Sequence, residues 1–178
     1  MSQAPTLQPV AIIGAGRIGR GLAEALRGSG VEVALLGRMR RPEDTQGAAV
    51  VLIATPDDAI EVVATSLAKL RESFEGRVVL HVSGSLSSSV LDALRNRGAA
   101  TGSCHPLQSF ATPELGAERI AGSTFAIEGD RAAVAVASRI ARDAGGRPVR
   151  LRPGAKALYH AAAVMASGHV TALLDASL

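Results

Sequence analysis

A chain of 178 residues with 47% hydrophobic and 20% charged residues holds enough apolar surface for one compact core with a small appendage, which excludes a disordered chain. Its longest apolar stretch, Ala48 to Ala54, is far short of the roughly 20 residues of a membrane span, and Met1 to Val10 lacks the basic start and apolar core of a secretory signal, so a soluble cytoplasmic protein is expected. The net charge of +3 comes with dispersed arginines and with Phe74, Phe110, Phe125 and Tyr159 as the only aromatics, a poor basis for nucleic-acid binding.

Val10 to Ile13 is a short apolar run, and after a glycine-rich turn Ile18, Leu22, Ala25 and Leu26 recur at helical spacing, which predicts strand, turn, helix. Gly28, Ser29 and Gly30 stop that helix, and Val31 to Leu36 reads as a second strand. Ala48 to Thr55 is continuously apolar, the pattern of a parallel strand covered on both faces. Pro56 with Asp57 or Asp58 then opens a helix with Ile60, Val63, Leu67, Leu70 and Phe74 on one side. Val78 to Val82 predicts a fourth strand, Ser87 to Asn96 a helix, Ala99 to Ser103 a weaker fifth strand and Thr124 to Glu128 a sixth. Asp130 caps a helix whose Val136 and Ile140 face inward, and Val149 to Leu151 is a last short strand.

Strands alternating with helices of this length specify crossover connections and a mostly parallel sheet. The fold class is a doubly wound α/β domain over residues 1–153. After Pro153 and Gly154 the pattern changes to one long helix, Ala155 to about Leu174, so 154–178 reads as the first helix of an all-helical domain that the chain cuts short.

Gly14-Ala15-Gly16-Arg17-Ile18-Gly19 fits G-x-G-x-x-G between a strand and a helix, the context that gives this motif its meaning. Gly14 allows the tight turn, Gly16 lets a pyrophosphate reach the backbone, and Gly19 lets helix and strand pack closely, while Arg17 and Ile18 open the helix whose N–H groups face the phosphates. NAD calls for a carboxylate about twenty residues on, at the end of the second strand. Here Gly37 and Arg38 stand in that place, and Arg38, Arg40 and Arg41 can bind a 2′-phosphate through charge-assisted forks. The expected cofactor is NADP.

The segments His81-Val82-Ser83-Gly84-Ser85-Leu86-Ser87, Cys104-His105-Pro106-Leu107-Gln108-Ser109-Phe110 and Tyr159-His160-Ala161-Ala162-Ala163-Val164-Met165-Ala166-Ser167 resemble the signatures of the Rossmann-like NADP-binding oxidoreductases with a C-terminal domain of unknown function. That family belongs to the 6-phosphogluconate dehydrogenase-like group, with pyrroline-5-carboxylate reductase and the β-hydroxyacid dehydrogenases as relatives. The resemblance implies that Thr55 and Pro56 border the nicotinamide ribose and that Ser83 and Gly84 border the substrate. It places Lys156 and His160 where β-hydroxyacid dehydrogenases carry a Lys and, four residues later, an Asn that hold and protonate the substrate oxygen. An i, i+4 pair shares one helix face, and Ser167 returns to the same stripe, whereas His169 points away.

Three departures stand out against that resemblance. Residues Arg41 to Gly47 are too few for the helix and strand that fuller relatives place there, which leaves the second strand near a sheet edge. His160 replaces the Asn, and relatives continue for about another hundred helical residues, a domain's worth, that form a dimer and close the cleft.

The chemistry expected from these residues is hydride transfer to or from a small carbonyl or imine, with Ser83, His105, Lys156 and His160 as catalytic candidates and Ser83, Gly84, His105 and Ser167 around the substrate. Lys156 can serve as general acid or anchor if burial moves its pKa toward neutrality. A Cys104–His105 nucleophile is disfavoured because neighbours on a strand face opposite ways. Zinc on His81, His105 and His160 is disfavoured for want of carboxylate spacing, so no metal is expected. A short-chain-dehydrogenase site needs Tyr four residues before Lys, and Tyr159 instead follows Lys156. Two other classes compete with the enzyme: a non-catalytic NADP-binding sensor or remnant, and a partner-dependent subunit. The apolar final helix suits the latter, pairing as a homodimer. The expected partner is a small-molecule substrate, with neither nucleic acid nor membrane.

Overall fold

In the computed structural model, which describes residues 9–37, 41–70, 72–108 and 120–177, seven strands form one sheet in the order β2-β1-β3-β4-β5-β6-β7. They are β1 (Val10–Ile13), β2 (Val33–Leu36), β3 (Val50–Ile53), β4 (Val78–His81), β5 (Ala100–Leu107), β6 (Thr124–Gly129) and β7 (Arg147–Arg150). Strands β1 to β5 are parallel, β6 is antiparallel to β5, and β7 is parallel to β6. This is the doubly wound, mostly parallel α/β sheet that the alternation predicts, with β2 at its edge. Among the described residues the short stretch after β2 holds a 3-10 turn, Pro42–Thr45. Arg77 braces it by donating to the carbonyls of Thr45 and Ala48 and pairing with Glu72 at 2.7 Å.

Side-chain alternation along the strands builds two cores. Val10, Ile12, Val50, Leu52, Val78 and Leu80 meet α1 (Arg17–Gly28) and α4 (Arg131–Asp143) through Leu22, Leu26, Val136 and Ile140. On the other face Ala11, Val51, Ile53 and Val79 meet α2 (Asp57–Ala68), a 3-10 turn at Ser88–Leu91 and α3 (Asp92–Arg95). Every residue of β3 and β4 is buried, which is why these strands read as unbroken apolar runs.

Four elements differ from the sequence pattern. Helix α2 ends at Ala68, yet Phe74 beyond it is still fully buried, with the Arg77 guanidinium 4.7 Å over its ring. The expected helix Ser87 to Asn96 is a 3-10 turn followed by the single turn of α3. Strand β5 runs on to Leu107 because β6 continues the ladder from Gly102↔Gly129 to Leu107↔Thr124, past the last β4 partner at Ser103. Pro106 is tolerated there because β5 has become an edge on its β4 side. The final helix is α5 (Lys156–Val164), a π turn over Met165–His169 and α6 (Val170–Ala176).

Candidate functional site

At the C-terminal edge of the sheet, the turn after β1 uses its glycines as the motif requires. Gly14 has φ +110°, and a Cβ on it would lie 2.5 Å from the Ala54 carbonyl oxygen. A Cβ on Gly19 would collide with the Gly14 carbonyl, so α1 packs directly on the turn. Around Gly16 a Cβ would meet nothing within 4 Å, and this residue caps α1 with no side-chain bond and no acidic residue in the first turn. The helix end is thus open and electropositive toward an anion. Arg17 is exposed and Ile18 packs on the core, while Arg20 donates to the Ala15 carbonyl at 2.7 Å and stiffens the turn. Gly37, at the end of β2, approaches Ala15. Of the arginines expected to hold a 2′-phosphate, Arg41 is exposed at the start of the 3-10 turn, its backbone N–H donating to Asp44 at 3.0 Å. Arg38 and Arg40 lie outside the described residues.

Thr55 and Pro56 come after β3 with one residue, Ala54, between, and Pro56 caps α2. The Thr55 hydroxyl oxygen is buried without a hydrogen-bond partner among the described residues.

After β4 the chain turns through Ser83-Gly84-Ser85, and this loop is held from several sides. His81 is fully buried; its Nδ1 accepts the Ser83 N–H at 3.2 Å while Nε2 lies 3.2 Å from the Ser87 carbonyl. Those two bonds together require the neutral ring with hydrogen on Nε2. Burial first, and the Lys156 charge second, push the His81 pKa down to about 4. The Ser83 hydroxyl donates to Asp57 at 2.9 Å and accepts the N–H groups of Ser85 and Leu86. Ser85 donates to the same Asp57 oxygen at 2.6 Å. Ser88 is tied to Glu128 through its N–H at 2.6 Å and its hydroxyl at 3.1 Å. The Ser83 hydroxyl is therefore committed to fixing the loop.

Strand register sets His81, Ser103 and Glu128 in one row across β4, β5 and β6. Lys156, 4% exposed, donates from Nζ to the Ser103 hydroxyl at 2.6 Å. Burial lowers the Lys156 pKa to about 8, against the pull of Glu128, Cys104 and Asp57. Two residues beyond Ser103, His105 is carried past the end of β4. Its Nδ1 lies 3.2 Å from the Tyr159 hydroxyl, the two rings T-shaped with centroids 6.0 Å apart. Burial, then Lys156 and His160, pushes the His105 pKa down to about 4.

Both His105 and His160 close on Gly84. A Cβ there would be 2.8 Å from His105 Nε2 and Cε1 and 3.1 Å from His160 Nδ1. That His160 nitrogen is buried and has no partner among the described residues. The two histidines border a cleft of about 300 Å³ completed by Leu107, Gln108, Val164 and Ala166. Ser167 follows Ala166 in the π turn, and its side chain lies outside the description. Cys104 faces the opposite core, its Sγ 3.7 Å from the Ala137 carbonyl and its pKa raised by burial to about 12, which separates it from His105 and makes it inert.

The model of a Rossmann-like domain matches residues 35–106, and that of a domain of unknown function, DUF2520, matches residues 123–178. Each model matches less than half of the chain, and the two matches do not overlap. No curated protein matches it. A Thermotoga maritima protein of known structure is 27% identical, with a TM-score of 0.68 over 93% of this chain and 66% of that one. The pyrroline-5-carboxylate reductase of Coxiella burnetii is 14% identical, with a TM-score of 0.73 over 96% of this chain and 69% of its own. A reductive aminase from Aspergillus terreus, solved with NADPH and ethyl-5-oxohexanoate, is 17% identical, with a TM-score of 0.71 over 94% and 63%. The chain thus spans about two thirds of the length of these structures and shares their fold. Among the described residues no helix is long and apolar enough to cross a membrane.

The residues matched by the Rossmann-like model include Thr55, the serine loop and His105, those matched by the DUF2520 model include Lys156, Tyr159 and His160, and the glycine turn precedes both. Sequence reasoning missed Asp57, Ser103, Glu128 and Tyr159. Asp57 reads as an ordinary helix opener, and nothing local announces that it accepts two serine hydroxyls. Tyr159 does carry a signal: it lies three residues after Lys156 and so shares its helix face.

Proposed function

We propose that this chain binds NADP(H) across the strand ends and passes hydride between the nicotinamide and a small carbonyl or imine compound in the cleft bordered by His105 and His160. One observation carries the reading: the buried side-chain polar atoms without partners among the described residues, Thr55 Oγ1 and His160 Nδ1, both lie at the C-terminal edge of the sheet, where ligands of such folds bind. An unpaired buried polar atom costs about 1 to 3 kcal/mol, and a bound ligand is what would supply the missing partners.

The residues present fit the cofactor. The uncapped start of α1 with open space at Gly16 suits a pyrophosphate, Thr55 and Pro56 suit the nicotinamide ribose, and Arg38, Arg40 and Arg41 suit a 2′-phosphate. Bound NADPH supplies the hydride. The chain's own side chains do the rest: His105 and His160 hydrogen-bond the substrate heteroatom, the proton that accompanies the hydride comes from solvent, and Lys156 supplies positive potential. Ser83 and Gly84 border the substrate, and Ser167 is a further substrate contact.

Calorimetric titration with NADPH and NADH, repeated on Arg38→Ala, tests this. Tight NADPH binding, weaker in the variant and much weaker for NADH, is expected. A folded protein that binds neither nucleotide overturns it.

A second reading, a subunit that works only when paired, draws on the exposed apolar residues Leu158, Met165 and Leu173, which are 75%, 62% and 72% exposed on α5, the π turn and α6. Pairing with a second copy through this face predicts twice the chain mass in sedimentation and loss of that species on Leu158→Glu.

A further inference from the structure

The rungs between α5 and β5 follow a simple spacing rule. Residues i and i+2 of a strand share a face, as do residues i and i+3 of a helix. Ser103 and His105 on β5 accordingly meet Lys156 and Tyr159 on α5, at 2.6 Å and 3.2 Å. The Lys156 rung is buried, whereas the Tyr159 rung ends on the ring that borders the cleft. We propose that Tyr159 is the positioning residue for His105: its hydroxyl donates to Nδ1 and fixes the hydrogen on Nε2, so that His105 offers the cleft a hydrogen-bond donor matched to a carbonyl oxygen or an imine nitrogen.

The direction of the Tyr159 bond follows from its surroundings. His105 Nδ1 is the one hydrogen-bond partner of the Tyr159 hydroxyl among the described residues. Burial raises the phenol above its ordinary pKa, so it keeps its proton through the neutral range. A neutral imidazole has one donor and one acceptor nitrogen, and a hydroxyl proton aimed at Nδ1 makes that nitrogen the acceptor. The reverse arrangement would leave Nε2 as a bare acceptor unable to bond a carbonyl. The charged and titratable groups facing His105 are Lys156, Tyr159 and His160 from α5, Asp57 from α2 and His81 from β4. Burial together with the Lys156 charge outweighs Asp57, and the ring stays neutral above pH 5. His105 thus acts as a neutral donor.

The substrate half of this inference rests on the oxidoreductase reading, whereas the tautomer is a property of the free protein. Nitrogen NMR of the histidine side chains on the full chain therefore tests it without cofactor or substrate. His105 is expected as the neutral Nε2–H form from pH 5 to 8, with His81, locked in the same form by Ser83 and Ser87, as internal reference. In Tyr159→Phe, His105 becomes a mixture of both tautomers while His81 is unchanged. In turnover, Tyr159→Phe lowers kcat/KM about tenfold or more and moves the acid limb of its pH profile, with the NADPH Kd unchanged. A wild-type His105 carrying its hydrogen on Nδ1, or one indifferent to Tyr159→Phe, overturns the inference, and the wild-type spectrum alone decides even if the variant fails to fold. Failure to bind NADPH would overturn the oxidoreductase reading and leave the tautomer result standing.

Discussion

The Nζ of Lys156 donates to the Ser103 hydroxyl at 2.6 Å, which places an ammonium group from α5 at the middle of the polar row formed by His81, Ser103 and Glu128. That bond holds α5 against β5 and sets a positive charge that is felt by His81 and His105. Glu128, held through both oxygens by Ser88, pulls the lysine toward its charged form, but burial outweighs that pull.

This arrangement gives stability a definite alkaline slope. The Lys156 pKa is about 8 in the folded chain against an ordinary 10.5, so between those values the unfolded chain binds more protons and stability rises with pH. The burial cost is fully present below pH 8 and gone above pH 10.5. The rise expected across the window is on the order of 3 kcal/mol, and thermal denaturation of wild type and Lys156→Met from pH 7.5 to 10.5 measures it. Only the wild type should show it; parallel curves would mean that the amine is not desolvated.

Acid acts through the two buried histidines. His81 and His105 have folded pKa values of about 4 against an ordinary 6.5, so stability is complete above pH 6.5 and falls as pH drops toward 4. Protonating His81 also places a hydrogen on Nδ1, where the Ser83 N–H already points, and the serine loop loses that anchor. Denaturant midpoints between pH 7 and 4 are expected to fall less steeply in His81→Gln than in wild type. Equal slopes would show that His81 titrates normally.

The glycine turn separates fold from binding. Gly16→Ala meets open space at an ordinary φ of −75°, so stability should change by less than about 1 kcal/mol, while on the proposed function NADPH affinity falls because the methyl group would stand in the place proposed for the pyrophosphate. Gly19→Ala drives a methyl into the Gly14 carbonyl, and α1 must leave the sheet for it to fit. Melting temperature and NADPH titration on the two variants should show binding loss with a normal melt for the first and a lowered melt for the second.

What was legible in the sequence follows from what is local. G-x-G-x-x-G names its own turn because φ at Gly14 and the packing at Gly19 are demands of neighbouring residues, and the unbroken apolar runs of β3 and β4 report burial on both faces. The row of His81, Ser103 and Glu128 was not legible, since it exists only through the register of three strands. Nor was the reach of β5 to Leu107, which depends on antiparallel pairing with β6. Lys156 and His160 stood out through resemblance and helical spacing. Ser83 stood out too, yet which of its bonds are used depends on Asp57, twenty-six residues away in sequence.

Gly84 offers the sharpest separation of substrate chemistry from cofactor binding. A methyl group there would be 2.8 Å from the His105 ring, closer than real Cβ contacts come, and a tight 3.1 Å from His160 Nδ1, so the His105 ring must turn away. The loop around it is pinned independently by the Ser83 bonds to His81 and Asp57 and by the Ser88 bonds to Glu128. Overpacking of this kind costs about 1 to 3 kcal/mol, which a chain this size tolerates, and Gly84 does not touch the glycine turn. Gly84→Ala is therefore expected to fold, to bind NADPH as the wild type does, and to lose turnover about 100-fold, the penalty of misplacing reacting groups by an ångström. Its NADPH titration and steady-state rates measure this directly, and wild-type turnover in a folded Gly84→Ala would remove His105 from the reaction.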